Sequence, residues 1–501
     1  MKRIIVGVDG TWQSALHQQR PVNLSNVSRL LTSIENVDNR NPSAPVLQVK
    51  HYISGVGTGE AVGAGAWHGA LGEGVLEKVR QGYYFIAENW NEGDEIYLFG
   101  FSRGAYIIRL LCTFINLVGI LDPKSNLTLF PSIFDGICSK WTPRDGKKGK
   151  IGAKLLAPLL AAIKPFKDAQ LEKAKGGFLL KVVGLFETVP LYHIHHIDAP
   201  AGTAEAPIYL PHYSPFSLPD APLEPHIENA YHALALNEMR DAFEPLLWRV
   251  GEEGVKTDQK LEQTWFTGCH TDVGGGYSIH DLADVSLSWL VARLLPFLSL
   301  DLTYLKTISA HPTAPWGEEP PRTAFHFLKG HPRHPLSSTP SSQTYETLHP
   351  SILHQDSSHL PTSIQPYLSK PPTDPIFAQL KEYEKAVQAN WPVKDAKTLE
   401  RRDSVTGVEE VDSAPVSEAE EDPNEPHPTT RPLSVPIATV TSSPFLPSSR
   451  EGISDPRSIA TTKRKNKEKK EKHEHKVIEA IKEERRKIRA AGDAPGLARS
   501  R

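Results

Sequence analysis

Short apolar runs alternate with stretches of helical apolar spacing over the first 300 residues, and this alternation constrains the fold more than any other feature. Runs without polar residues are typical of strands buried on both faces of a sheet. Strands that alternate with helices form parallel sheets. We therefore predict an α/β fold, a mostly parallel sheet covered by helices on both faces. The predicted strands are residues 4–8, 46–53, 95–99, 178–186 and 263–268, and the predicted helices are 74–90, 105–118 and 229–243.

The third predicted strand runs directly into Gly-Phe-Ser-Arg-Gly at 100–104, and a predicted helix begins immediately afterwards. A serine in such a tight strand-to-helix turn leaves room only for small residues two positions away, which Gly100 and Gly104 provide. The turn would raise the Ser102 hydroxyl above the carboxyl end of the sheet and direct the Arg103 N–H towards a developing oxyanion. The alternative is a glycine-lined turn with an idle serine. The flanking strand and helix favour a nucleophile.

A serine hydroxyl becomes a nucleophile when a base takes its proton, and the base needs an orienting acid. In the architecture that contains this turn, the three catalytic residues occur along the chain in the order serine, acid, histidine, and each follows a strand. Glu187 follows the strand predicted over 178–186, and His270 follows the one over 263–268. We therefore predict Ser102, Glu187 and His270 as the catalytic residues.

Other titratable residues offer alternatives. Asp272 could be the acid instead of Glu187, but we favour a supporting role in which it caps the following glycine turn or steadies the loop of His270. His232 lies in a predicted helix, where a packing histidine is the simpler interpretation. The alternating histidines at 193, 195 and 196 could hold a metal or be incidental. We expect neither a metal nor a cofactor.

Asp-Gly-Thr-Trp at 9–12 ends the first predicted strand, at the same sheet edge as the serine turn if the two strands are parallel. The N–H groups of Gly10 and Thr11 could supply a second oxyanion donor, with Asp9 in support. The alternative is a simple Asp-Gly turn. Gly-Val-Gly-Thr-Gly at 55–59 lacks the register of a nucleotide loop, so we expect a mobile loop that lines the pocket.

The chain has 501 residues, and its polar excess lies towards the C-terminus. Lysines alternate with apolar residues at helical spacing over 147–175, which fits a surface helix pair with a basic face or a lid that contacts lipid. Acidic residues, Ser, Thr and Pro dominate from about 400 to 460, where aromatic residues are scarce. We predict one catalytic domain over 1–395 with cap or lid insertions at about 126–176 and 190–225, a disordered acidic Ser/Pro-rich linker over 396–460, and a charged, helical tail over 461–501.

A net charge of -3 predicts no particular partner, and we expect no nucleic acid. The Lys/Arg/Glu run at 463–489 fits a solvated helix or a surface for nucleic acid or anionic membrane, so the partner of the tail is unknown. Three scattered cysteines fit a reducing compartment. The N-terminus lacks the pattern of a signal peptide, and the longest apolar stretch, 107–121, is too short for a bilayer. We expect a cytoplasmic protein.

Five motifs in order resemble a known family. They are Val-Asp-Gly-Thr-Trp at 8–12, Gly-Val-Gly-Thr-Gly at 55–59, the segment at 93–106, His-Ala-Leu-Ala-Leu at 232–236, and the segment at 265–277 that ends in Gly-Gly-Gly-Tyr. Over roughly the first 300 residues the chain resembles the uncharacterised α/β-hydrolase family that includes the catalytic domains of type VI secretion phospholipase effectors and has many fungal members. The resemblance implies an α/β-hydrolase-like fold and phospholipase activity.

The serine of that family falls on Ser102 and its histidine on His270. Its acid, an Asp in a Phe-Asp-Thr-Val-like motif, falls on Glu187, whose side chain is longer by one methylene. Two functions follow. The first is a metal-independent serine hydrolase of carboxylic esters, with lipid esters as the leading substrates and transient membrane contact as an option. The second is a non-catalytic interaction scaffold that keeps the hydrolase fold and binds partners through its C-terminal third.

Overall fold

The computed structural model describes residues 1–11, 13, 23–56, 67–124, 129–141, 148–190, 222–322, 331–336 and 343–393. The chain divides into two units, Met1–Asp403 and Ser404–Arg501, and all described residues belong to the first. The predicted linker at 396–460 and tail at 461–501 therefore lie outside the described residues. Most of the predicted insertion at 190–225 lies outside them as well.

In the described part of the first unit, eight strands form one central sheet. Its strands are β1 (Arg3–Val8), β2 (Val37–Asp38), β3 (Val46–Ile53), β4 (Glu95–Phe101), β5 (Leu180–Phe186), β6 (Ile227–Ala235), β7 (Lys260–Phe266) and β8 (Glu346–Leu348). They are arranged in the order β2-β3-β1-β4-β5-β6-β7-β8. Only the short edge strand β2 is antiparallel to its neighbour, so the carboxyl ends of the other strands lie at one edge of the sheet.

Helices cover both faces of this sheet. They are α1 (Asn26–Ser33), α2 (Trp67–Asn89), α3 (Arg103–Val118), α4 (Phe130–Trp141), α5 (Lys148–Lys173), α6 (His270–Gly274), α7 (Asp281–Leu294), α8 (Leu302–Ile308) and α9 (Glu382–Ala389). On one face, Ile5 of β1 and Phe99 of β4 share a buried apolar cluster with α1 and α7. On the other, Gly82 of α2 lies next to Val6 of β1 and Leu111 of α3. The predicted α/β-hydrolase-like fold class is therefore confirmed.

The prediction of a helix over 229–243 is wrong. Residues 227–235 form β6, which pairs with β5 and β7 in the middle of the sheet, and a 3-10 turn follows at Asp241–Phe243. The run is rich in alanine and leucine, which favour helices in isolation. A strand buried on both faces is also apolar throughout, so periodicity alone cannot separate the two, and here tertiary pairing decides.

Residues 148–173 form one helix, α5, so the helix pair predicted over 147–175 is wrong; α4, which packs against α5, precedes this segment. In the C-terminal half of α5, Lys167 Nζ donates to the Asn116 carbonyl at 3.1 Å, and Gln170 Oε1 accepts from the Ile120 N–H at 2.9 Å. Both partners lie at the C-terminal end of α3. This half of α5 is therefore held at the end of α3 that lies farthest from residue 102. No helix among the described residues is long and apolar enough to cross a membrane.

Candidate active site

Ser102 joins β4 to α3 in a strained backbone conformation, with φ of 58° and ψ of -126°. A Cβ atom on Gly100 would lie 2.6 Å from the Ala105 Cα, and one on Gly104 would lie 2.3 Å from the Val8 carbonyl oxygen. Both obstacles are backbone atoms, which cannot rotate away as a side chain can. Strained backbone of this kind clusters at functional sites and persists only when the surroundings fix it.

Hydrogen bonds to the neighbouring strand end fix the turn. The Ser102 N–H donates to the Phe186 carbonyl at 3.0 Å, and the Val189 N–H donates to the Ser102 carbonyl at 3.3 Å. Glu187 lies between these two partners and also has a positive φ, 49°. Its N–H donates to the Ala233 carbonyl of β6 at 2.9 Å. The serine turn and the Glu187 turn are therefore locked together at the carboxyl edge of the sheet.

Glu187 and His270 meet at this edge. His270 Nδ1 lies 3.0 Å from Glu187 Oε2, and both side chains are buried. A hydrogen bond of this kind fixes which imidazole nitrogen carries the proton. The other carboxylate oxygen, Oε1, accepts from the Ala235 N–H at 2.7 Å. The glutamate side chain, although one methylene longer than aspartate, thus reaches the histidine.

Sequence reasoning missed a fourth residue of this cluster, Arg333. Its side chain is 2% exposed, and the guanidinium binds both oxygens of Glu187, Nη1 to Oε1 at 2.8 Å and Nη2 to Oε2 at 2.9 Å. It also donates to the carbonyls of Ala235 and Phe243 at 2.7 and 2.6 Å. Burial alone would raise the pKa of Glu187, but the Arg333 charge and the hydrogen bonds from His270 and Arg333 outweigh it and lower the pKa to about 2.

The imidazole of His270 lies beside the serine turn. Its ring stands 4.8 Å, centroid to centroid, from the ring of Phe101, the residue directly before Ser102, and 4.9 Å from Phe243. Its Nε2 is buried and has no hydrogen-bond partner among the described residues. Burial lowers the pKa of His270, opposed in part by Glu187, so the ring is neutral near pH 7. A neutral imidazole with an unused nitrogen can accept a proton.

The Asp9 turn packs directly against the serine turn, because a Cβ on Gly10 would lie 3.3 Å from the Ser102 Cβ. Asp9 accepts hydrogen bonds from Ser28 Oγ and Tyr52 OH, both at 2.8 Å. It also accepts from the Gly10 N–H at 2.9 Å, which corrects the role predicted for Gly10, since this N–H is already used. Thr11 remains as the candidate donor of the turn. Burial raises the pKa of Asp9, although these hydrogen bonds oppose it.

The glycine loop that begins at Gly55 packs against the backbone of the Asp9 turn. A Cβ on Gly55 would lie 1.6 Å from the Gly10 carbonyl oxygen, so the two backbones touch there and only glycine fits. The Gly55 N–H also donates to the Gln13 carbonyl at 2.9 Å. Residues 57–66, which include the rest of the predicted pocket loop, lie outside the described residues.

Asp272 and His232 have partners of their own. Asp272 Oδ2 accepts from the N–H groups of Cys269 and Arg322, both at 2.9 Å, at the first turn of α6, which begins at His270. These contacts hold the His270 loop and leave Glu187 as the carboxylate bound to the imidazole. Both His232 nitrogens have partners in the core, and burial lowers its pKa to about 3. His232 is thus a packing histidine, although in a strand.

Metal ligation finds no support in the part of the chain that the structure describes. There, no group of three or more His, Cys, Asp or Glu side chains could hold a metal ion. The histidines at 193, 195 and 196 lie outside the described residues.

The parallel sheet, with a strained serine turn at its carboxyl edge, places the chain in the α/β-hydrolase class. A family model described as type VI secretion system phospholipase effector Tle1-like, catalytic domain, matches residues 2–293. The chain belongs to this family, as its sequence motifs predicted.

Three further proteins are similar to parts of the chain. An uncharacterised protein of Saccharomyces cerevisiae is 50% identical over 40 residues, which are 8% of this chain and 6% of that protein. A structure of an uncharacterised protein from Pseudomonas aeruginosa has 15% identity and a TM-score of 0.27, covering 58% of this chain and 45% of its own. The Tle1 effector bound to the VgrG spike of the type VI secretion system has 20% identity and a TM-score of 0.27, covering 55% and 51%. The chain thus spans about half the length of the two solved structures.

Proposed function

We propose that this protein is a serine hydrolase that cleaves carboxylic esters, with lipid esters, phospholipids among them, as the leading substrates. The hydrogen bond between Glu187 and His270, beside the strained turn of Ser102, carries the proposal. Membership of a phospholipase family supports lipid esters as the substrate class.

In the proposed reaction, Ser102 attacks the ester carbonyl and His270 Nε2 takes its proton. His270 then returns the proton to the leaving alcohol, and water repeats the cycle on the acyl-enzyme. Glu187 holds the imidazole in one tautomer and stabilises the imidazolium that forms. The N–H groups of Arg103, at the start of α3, and of Thr11 stabilise the oxyanion.

The test compares the wild-type protein with Ser102→Ala in hydrolysis of a mixed panel of lipid and simple esters. We expect the substitution to lower turnover by about 10⁴-fold or more, because the remaining groups cannot form an acyl-enzyme. A fluorophosphonate probe should label the wild-type protein and leave Ser102→Ala unlabelled. Ser43→Ala, at an exposed serine, is the matched control and should keep both properties.

Wild-type protein that neither reacts with the probe nor hydrolyses any ester, while folded by circular dichroism, would refute the proposal. That outcome would favour the interaction scaffold.

A further inference from the structure

Two arginines lie near Phe243, the aromatic residue next to His270. The Arg240 guanidinium carbon stands 3.5 Å from the centroid of the Phe243 ring, and that of Arg103 stands 5.9 Å from the same centroid. The Phe243 ring in turn meets the His270 imidazole edge-on at 4.9 Å. Two cations are therefore held beside the candidate base.

Among the residues that the structure describes, Arg240 has an acidic partner and Arg103 has none. Arg240 binds both oxygens of Glu238 at 2.8 Å, and Glu238 also accepts from the His270 N–H at 3.2 Å. Arg103, which directly follows Ser102, forms no ion pair or hydrogen bond through its side chain with any other residue that the structure describes. The cluster of two arginines and one glutamate thus carries a net positive charge at the site.

A guanidinium that is partly removed from water and has no anionic partner among the described residues loses hydration without a compensating contact from them. Burial lowers the pKa of Arg103, and the charge of Arg240 lowers it further, which is consistent with such a position. Glu238 is already shared between Arg240 and His270. An anion supplied from outside would offset both the lost hydration and the repulsion between the two arginines, and a guanidinium suits phosphate and carboxylate oxygens.

We propose that the Arg103 side chain, with Arg240 beside it, binds an anionic group that the substrate carries near its scissile ester. The chemistry shared by the candidates is a phosphate or a carboxylate. This inference rests on the proposed ester hydrolysis and adds to it a determinant of substrate specificity. Arg103 then contributes its backbone N–H to the oxyanion and its side chain to selection of the substrate.

The experiment uses three soluble butyrate esters with the same acyl group. Glycerol butyrate is neutral, glycerol phosphate butyrate carries a phosphate, and glyceric acid butyrate carries a carboxylate. The readout is the ratio of kcat/KM for each anionic ester to that for the neutral one, in which a general loss of turnover cancels. We expect the wild-type protein to prefer at least one anionic ester by about 10- to 100-fold, the range of a charge-assisted hydrogen bond. The better of the two anionic esters identifies the group.

Arg103→Gln should remove most of this preference, Arg240→Gln should weaken it, and Arg103→Lys should retain part of it. Arg80→Gln, at a half-exposed arginine on α2 that pairs with Glu77, is the control and should leave the ratio unchanged. A wild-type ratio near one for both anionic esters would overturn the inference. So would a preference that survives both Arg103→Gln and Arg240→Gln. In either case ester hydrolysis itself stands, whereas a wild-type protein that hydrolyses none of the three and also fails to react with the fluorophosphonate probe contradicts the proposed function.

Discussion

Arg333 sets the electrostatic balance of the candidate triad. In the buried site, Glu187 alone would place a full negative charge next to His270, raising the affinity of the imidazole for a proton. The two hydrogen bonds from Arg333 offset that charge and hold the carboxylate in one orientation. We expect Arg333 to act as a positioning residue that keeps His270 neutral in mildly acidic solution. A neutral His270 can still accept a proton there.

The pH profile of hydrolysis tests this role. Because burial lowers the pKa of His270, the acid limb of wild-type kcat should have its midpoint below 6.5, the value of an unperturbed histidine. Arg333→Met should lower kcat and move the midpoint upwards, since the unbalanced carboxylate favours the imidazolium. Removing one partner of a buried ion pair also costs about 3–5 kcal/mol of folding stability, so the assay belongs at low temperature.

Arg293→Met is a matched control for this variant. Arg293 is equally buried and binds Glu262 and Glu384, away from His270. It should lose stability but keep the wild-type acid limb. An identical shift in both variants would assign the effect to general loosening of the fold.

Residue order and position after strands predicted Ser102, Glu187 and His270 as a set, and the structure brings Glu187 and His270 into contact beside the Ser102 turn. Arg333 could not be found in this way. It lies in a Pro/His-rich stretch without periodicity, and its partner is 146 residues away in the chain. The N–H of Gly10 also could not be judged from the sequence. Its hydrogen bond to the Asp9 carboxylate depends on the conformation of the turn.

At the scale of elements, the junction of β4 and α3 depends on close backbone approach. Gly104 on the first turn of α3 lies against the end of β1, and Gly100 at the end of β4 lies against α3. The strand and helix on either side of the pattern predicted this junction, because both elements are long and strongly apolar. In contrast, β2 and β8 were not predicted, since strands of two and three residues carry too little pattern.

Gly104→Ala should destabilise the protein by about 1–3 kcal/mol or more. The new methyl group would clash with the Val8 carbonyl, and relieving the clash requires one of the two backbones to move. Urea unfolding monitored by tryptophan fluorescence gives the change in the free energy of unfolding. Gly251→Ala is the control: a Cβ there has no heavy atom within 4 Å, so stability should stay close to the wild-type value. Equal stability of all three proteins would contradict the packing described for this junction.

At the scale of the whole molecule, the candidate site and its supporting contacts belong to the unit Met1–Asp403. Domains with their own core usually fold and function without their appendages. Deletion of residues 404–501 should therefore leave kcat/KM for ester hydrolysis and the thermal midpoint of the first unit unchanged. Loss of hydrolysis with retained folding would mean that the C-terminal region contributes to the reaction.

The ion pair between Glu187 and Arg333 also bears on how the protein is made. The family match ends at residue 293, but the guanidinium that neutralises Glu187 and the last strand of the sheet, β8, follow it in the chain. During translation, the carboxylate emerges from the ribosome well before its counter-charge does. The ion pair can therefore form only after residue 333 has emerged, and a nascent chain that stalls before it would have no counter-charge for a buried anion.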